Sequence, residues 1–129
     1  MGASIAEGTL QAATTMAKTT QTAIGSELGC AGYDFITLFF TYTNGDETGI
    51  LIQAHMLQAT GGTEYQDATW TAAAGTKTAT LNELKLIATA SHFATYDVRG
   101  ISFIKFTQGG SDNDGTPTGT LAASYTLFK

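Results

Sequence analysis

"DFITLFFTYTNGDETGILIQAHMLQAT", residues 34–60, decides the architecture. Two apolar runs flank Asn44, Gly45, Asp46, Glu47, Thr48 and Gly49, a group dominated by turn formers. In the first run Ile36, Leu38, Phe40 and Tyr42 share one side of an extended chain, and Thr37, Phe39, Thr41 and Thr43 share the other. In the second, Ile50, Ile52, Ala54 and Met56 alternate with Leu51, Gln53, His55 and Leu57. A period of two means strands, and a turn-forming group between them predicts a β-hairpin. Each arm has one wholly apolar face for a core and one mixed face outside it. The mixed faces still carry Phe39, Leu51 and Leu57, more apolar surface than water comfortably tolerates, so a second contact is expected there.

The same period recurs along the chain. "TEYQDATWTA" (63–72) reads as a strand holding Tyr65 and Trp70. "TKTATLNELKLIATA" (76–90) reads as strand, with a helix over 81–88 as its competitor. "YDVRGISFIKFTQ" (96–108) reads as a strand with Gly100 as a bulge, and "TGTLAASYTLFK" (118–129) as the last. With a strand from Thr20 to Ile24, this gives about seven or eight strands with no helix between them, which predicts an all-β, antiparallel β-sandwich of jelly-roll type. Residues 1–19 differ, being rich in Ala and Thr. Ser4 and Glu7 make a capping box, and Ala6, Leu10, Ala13 and Ala17 recur at helical spacing, but Gly8 and the Thr pairs oppose a helix. The expectation is an N-terminal arm over 1–19, extended or a short helix, that orders against a neighbour, and a β-sandwich domain over 20–129.

Composition narrows the function. Hydrophobic residues make up 43% of the 129 and charged ones only 13%, so the surface has to be covered by something other than ion pairs; threonine, at 24 positions, covers it. The net charge is −5, and Lys18, Lys77, Lys85, Arg99, Lys105 and Lys129 are scattered, which argues against direct nucleic-acid binding. Cys30 has no intramolecular partner and reads as a buried, inert thiol. The first residues lack the basic start and apolar run of a secretory signal, Ala6 stands where a myristoylation site wants Ser or Thr, and no stretch is long enough to span a membrane. The expectation is a chain made in a host cytoplasm, with no membrane partner.

No stretch assembles a reaction centre. "GGSDNDGTPTG" (109–119) places Asp112, Asp114 and Thr116 at the first, third and fifth positions of a calcium loop. Pro117 then stands where a glycine is required and Ala123 where a bidentate glutamate is required, so the stretch reads as a connector between the last two strands. Asp46 and Glu47 read as turn residues. His55 and His92 lack ligand spacing, and no metal or other cofactor is expected. No nucleophile elbow or phosphate loop occurs, and an enzyme is not expected. Trp70 with Tyr65 and Tyr96 offers the competing reading, an aromatic platform for a glycan or receptor.

"YDFITLFFTYTNGDETG", "TEYQ" and "GTPTGTLAASYTL" resemble segments of the small β-rich virion proteins of tailed bacteriophages, over residues 20–129. Such chains pair an apolar strand with an "NGDE"-like turn and close on a "GTPTGTL" strand. The resemblance implies a structural part of a particle, such as a capsid decoration or cement protein, localised to the virion. It carries no catalytic residues. The residues themselves agree: few charges, hydroxyl-rich strands and spare apolar side chains suit a chain packed against copies of itself and against a major capsid or other virion protein. A homo-oligomer is expected, a trimer by preference, with Phe39, Leu51, His55, Leu57 and Trp70 at the interface.

Overall fold

A computed structural model describes residues 5–15, 22–46, 49–66, 68–73, 76–81, 83–110 and 118–129; for 68–83 and Gly110 the description extends to the backbone alone. The strands are β1 (Ile5–Thr15), β2 (Thr22–Ala23), β3 (Leu28–Gly29), β4 (Phe35–Thr43), β5 (Ile50–Leu57), β6 (Tyr65–Gln66), β7 (Ala68–Ala73), β8 (Thr76–Leu81), β9 (Glu83–Leu86), β10 (Ala90–Asp97), β11 (Phe103–Gly110) and β12 (Thr120–Phe128). One sheet has the order β1-β12-β4-β10. The second runs β2-β11-β5-β6, with β3 also on β11 and β9 also on β5, and β7 pairs with β8. Every pairing is antiparallel. The protein is an all-β sandwich.

Residues 34–60 form two strands, as the alternation requires, but not a hairpin. β4 lies between β12 and β10 in the first sheet, whereas β5 lies beside β11 in the second. The reason is burial. A hairpin would set both apolar faces side by side on one surface and leave both to be covered by other segments. In separate sheets they share one core, where Ile36, Leu38, Phe40 and Tyr42 are buried together with Ile50, Ile52 and Ala54. β11 adds Ile104 and Phe106, and β12 adds Leu121, Ala123 and Leu127. The Tyr96 ring of β10 meets the Phe106 ring of β11 across the layer, centroids 5.3 Å apart.

The first half of the connector is tied to two remote segments. The Asn44 N–H donates to Thr89 Oγ1 (2.8 Å) and the Asp46 N–H to Thr118 Oγ1 (2.9 Å). The buried Tyr42 hydroxyl donates to Asn44 Oδ1 at 2.7 Å. At Gly45 a Cβ would lie 2.2 Å from Thr118 Oγ1, so the turn can approach the 118–119 segment only without a side chain.

Two open alternatives resolve as strand, and one further expectation changes. Ile5–Thr15 is a strand along β12, with the partly buried Leu10 packed against the core, so the helical alternative does not form there. The candidate helix over 81–88 contains β9, whose Leu84 lies opposite Ile52 of β5. Gly100 is no bulge: it sits with φ +79 in the turn between β10 and β11, where Asp97 Oδ1 accepts the Arg99 N–H at 3.0 Å. "YDVRGISFIKFTQ" thus spans two strands in opposite sheets.

The neighbours Leu38 and Phe39 point to opposite sides of the first sheet, one fully buried and one 44% exposed. Leu38→Ala should lower unfolding stability by about 2–5 kcal/mol through lost burial and a residual cavity, whereas Phe39→Ala should cost less than about 1 kcal/mol. Urea titration of the two variants checks this; equal losses would contradict the assigned faces.

Candidate functional site

Once the inner faces are used in the core, the outer face of the four-stranded sheet is the largest feature left to explain. Register sets its composition. Thr37, Phe39 and Thr41 of β4 lie opposite Thr95, Phe93 and Ser91 of β10, and opposite Thr126, Ser124 and Ala122 of β12. Phe35 lies between Asp97 and Phe128, and Thr9 of β1 lies beside Ser124. Phe39 (44% exposed) and Phe93 (72% exposed) contact each other with centroids 6.4 Å apart. Phe35 stacks on Phe128 at 5.6 Å, and the Arg99 guanidinium lies 5.5 Å above the Phe35 ring. An open groove of about 380 Å³ runs beside the aromatic pair, lined in part by Thr9, Gln11, Ser91 and Ser124.

Several polar groups on this face pair with one another. Thr37 and Thr95 share a hydroxyl hydrogen bond of 2.8 Å, and Thr41 and Ser91 one of 3.4 Å. Asp97 is held by Arg99, whose Nε donates to Oδ1 at 2.9 Å; these hydrogen bonds bring the carboxyl pKa down to about 2. The centre of the face therefore offers rings and small hydroxyl side chains, with charge at Asp97 and Arg99 at one end and at Glu7 on the β1 rim.

The expected interface residues divide. Phe39 stands on this face. Leu51 is partly buried on the outer side of β5. Leu57 is 1% exposed, closed over within its own chain beside Tyr65 and Ile101. Trp70 lies in β7 opposite Ala79, and its side chain is outside the described residues. Phe93 was missed, although Ser91, Phe93 and Thr95 alternate against His92, Ala94 and Tyr96 and so mark a strand. The aromatic platform is not assembled among the described residues, since Tyr96 turns to Phe106 in the core while Tyr65 stands exposed on β6. Asp112 and Asp114 lie outside the described residues.

His55, 9% exposed, anchors a polar cluster on the second sheet. Its Nε2 lies 3.1 Å from Thr107 Oγ1 and its Nδ1 3.5 Å from Glu64 Oε1, while Lys105 Nζ lies 3.4 Å from Glu64 Oε2. A carboxylate, an imidazole and a hydroxyl in series resemble an acyl-transfer relay, but Thr107 is buried, which denies its oxygen to a substrate. The cluster instead ties the segment entering β6 to β5 and β11. Cys30 is buried; its thiol donates to the Ile101 carbonyl (3.4 Å), and burial pushes its pKa up to about 11. Among the described residues no group of three His, Cys, Asp or Glu is placed to hold a metal, and no helix is long and apolar enough to cross a membrane.

Burial lowers the His55 pKa below its ordinary value; Glu64 opposes the shift and Lys105 reinforces it. The unfolded chain then binds a proton more readily than the folded one, so stability falls as pH drops below about 6.5. Melting temperatures measured from about pH 7 to about pH 5 should fall less steeply for His55→Gln than for the parent chain; parallel profiles would remove His55 from this role.

No protein-family model matches the sequence, and no curated protein matches it. Solved structures similar in fold include the following two. A chain of the disulfide-linked pili formed by Bacillus endospore appendages aligns with TM-score 0.57 at 11% identity, over 100% of this chain and 91% of that one. A chain of infectious bursal disease virus, Gx strain, aligns with TM-score 0.51 at 10% identity, over 99% of this chain and 33% of that one, so this chain spans about one third of its length. At such identities the likeness is one of fold alone: an antiparallel, jelly-roll-like β-sandwich.

Proposed function

We propose that this chain is a structural subunit of a virion of the tailed-phage kind, a capsid decoration protein that stabilises a particle through many weak protein contacts. Its partners are further copies of itself and a major capsid protein. The observation that carries the proposal is the outer face of the four-stranded sheet, where Phe39 and Phe93 stand uncovered among Thr, Ser and Ala. A contiguous apolar patch rimmed by polar residues is what a protein-binding surface looks like, and its lack of central charge suits a dry contact. The fold supports the reading, since one similar structure is a pilus chain and the other a chain from a virus. The ion pairs among the described residues, Asp97 with Arg99 and Glu64 with His55 and Lys105, have structural roles, and no reaction is assigned to them.

Association driven by this face should persist at high salt, because apolar burial is not screened as charge pairing is. Sedimentation velocity over rising protein concentration, at low and high salt, should show a mass increase that salt does not weaken. Co-sedimentation with the cognate particle should follow the same rule. A chain that stays monomeric and ignores the particle would overturn the proposal.

A further inference from the structure

The two sheets differ in how their edges are finished. An edge strand exposes a row of unpaired N–H and C=O groups that invites another strand, and proteins blunt such edges with short strands, charges, prolines or bulges. The second sheet ends in short pieces: β2 and β6 have two residues each and β9 four. At one rim of the first sheet, β1 carries Glu7 and is broken by register shifts between Thr9 and Gln11 and between Gln11 and Thr14. The other rim is β10. It has eight residues, pairs with β4 without a slip, contains no proline or lysine, and has one charge, Asp97, at its end and neutralised by Arg99. Among the described residues no strand lies beyond it. Phe93 stands at its middle, 72% exposed.

We infer that β10 is the seam between two copies of this chain, the β10 strands pairing antiparallel about a two-fold axis beside Phe93, so that two four-stranded sheets become one of eight strands. The inference rests on the self-associating structural role proposed above and names its partner and geometry. A second copy fits better than an unrelated strand for two reasons. First, antiparallel self-pairing places Phe93 of one copy opposite Phe93 of the other, with Ser91 opposite Thr95 and His92 opposite Ala94. Cross-strand aromatic and hydroxyl pairs of this kind are favourable, and no like charges meet, because Asp97 falls opposite Thr89. Second, the Phe39 and Phe93 rings of both copies then lie in one continuous cluster, covering the exposed apolar surface that each copy leaves open.

The size of the seam sets its strength. Eight residues at about 3.4 Å each make a rim about 27 Å long. With the two Phe93 rings it buries an area near the low end for specific complexes, under about 1,200 Å². That suits an assembly in which each contact is weak and many act together. The seam closes at two copies rather than the three expected from the sequence, since an isologous strand pairing is self-complementary and complete.

Disulfide trapping tests it. Phe93→Cys puts a thiol directly opposite its own copy, within the 4.4–6.8 Å Cα range typical of disulfides, about 5 Å for facing strand residues. Under mild oxidation this variant should run as a covalent dimer and no higher, while Ile5→Cys, on the opposite rim, should not; the native Cys30 is buried and adds no background. Phe93→Lys should shift the dissociation constant at least tenfold upward, with an unchanged circular dichroism spectrum showing that the strand still folds. Equal cross-linking at both rims, a ladder of higher species, or association untouched by Phe93→Lys would overturn the seam. The two proposals fail separately: a chain that still binds the particle without cross-linking through position 93 loses the seam and keeps the structural role, whereas a chain that neither self-associates nor binds loses both.

Discussion

The structure depends on one constraint: two consecutive strands each own an apolar face, and those faces are buried most completely against each other. Ile36, Leu38, Phe40 and Tyr42 on β4 and Ile50, Ile52 and Ala54 on β5 meet this by taking opposite layers. The rest of the chain follows the same rule. It crosses between layers from β1 to β2, β3 to β4, β4 to β5, β9 to β10, β10 to β11 and β11 to β12, so the two larger sheets are assembled mostly from strands remote in sequence, with β5–β6 the local exception. The first strand is held by the last, β1 against β12. Such a topology has little local pairing to start from, which makes folding slow and the sandwich cooperative once formed.

Which residues face the core was legible in the sequence; which strands lie side by side was not. Alternation assigns the inner faces of β4 and β12 directly, and Leu121, Ala123 and Leu127 are buried as that pattern requires. Alternation is silent about partners, because a turn-rich connector of six residues serves a hairpin and a layer crossing equally well. The discriminating facts, Gly45 against Thr118 and Asn44 against Thr89, join positions 45 to 73 residues apart and leave no local mark. The alternation itself fails near the end of β5, where Leu57 is buried and Met56 only partly so, since pairing with the two-residue β6 changes what covers that stretch. Phe93 lies on the N-terminal side of Tyr96, outside the 96–108 segment whose alternation reads as strand. Asp97, Arg99 and Gly100 form the turn that ends β10, and reading them as strand merged two layers into one.

The hydroxyl-rich composition acquires a physical meaning on the outer face. A threonine pair such as Thr37 and Thr95 makes one hydroxyl hydrogen bond laterally, within the sheet. Each such pair lowers the cost of covering that part of the face with protein, because the bonded oxygens keep a partner when water leaves. The exposed phenylalanines then lie among groups that can be desolvated at little cost, which is where apolar contacts are most effective. A charged residue at Phe93 would undo this locally even with every neighbour kept.

The proposed assembly raises the question of what would hold copies together for long if each contact is weak. A covalent tie through the one cysteine is closed off by the fold: Cys30 is fully buried, its thiol is engaged with the Ile101 carbonyl, and its raised pKa suppresses the thiolate that disulfide exchange needs. Ionic clamps are equally scarce, because the charges are few and the described pairs are satisfied within the chain. What is left is shape, apolar area and backbone pairing, all of which add up with copy number. Durability in such an assembly comes from simultaneous engagement at many sites, each reversible, so that one subunit can leave only when all its contacts open together.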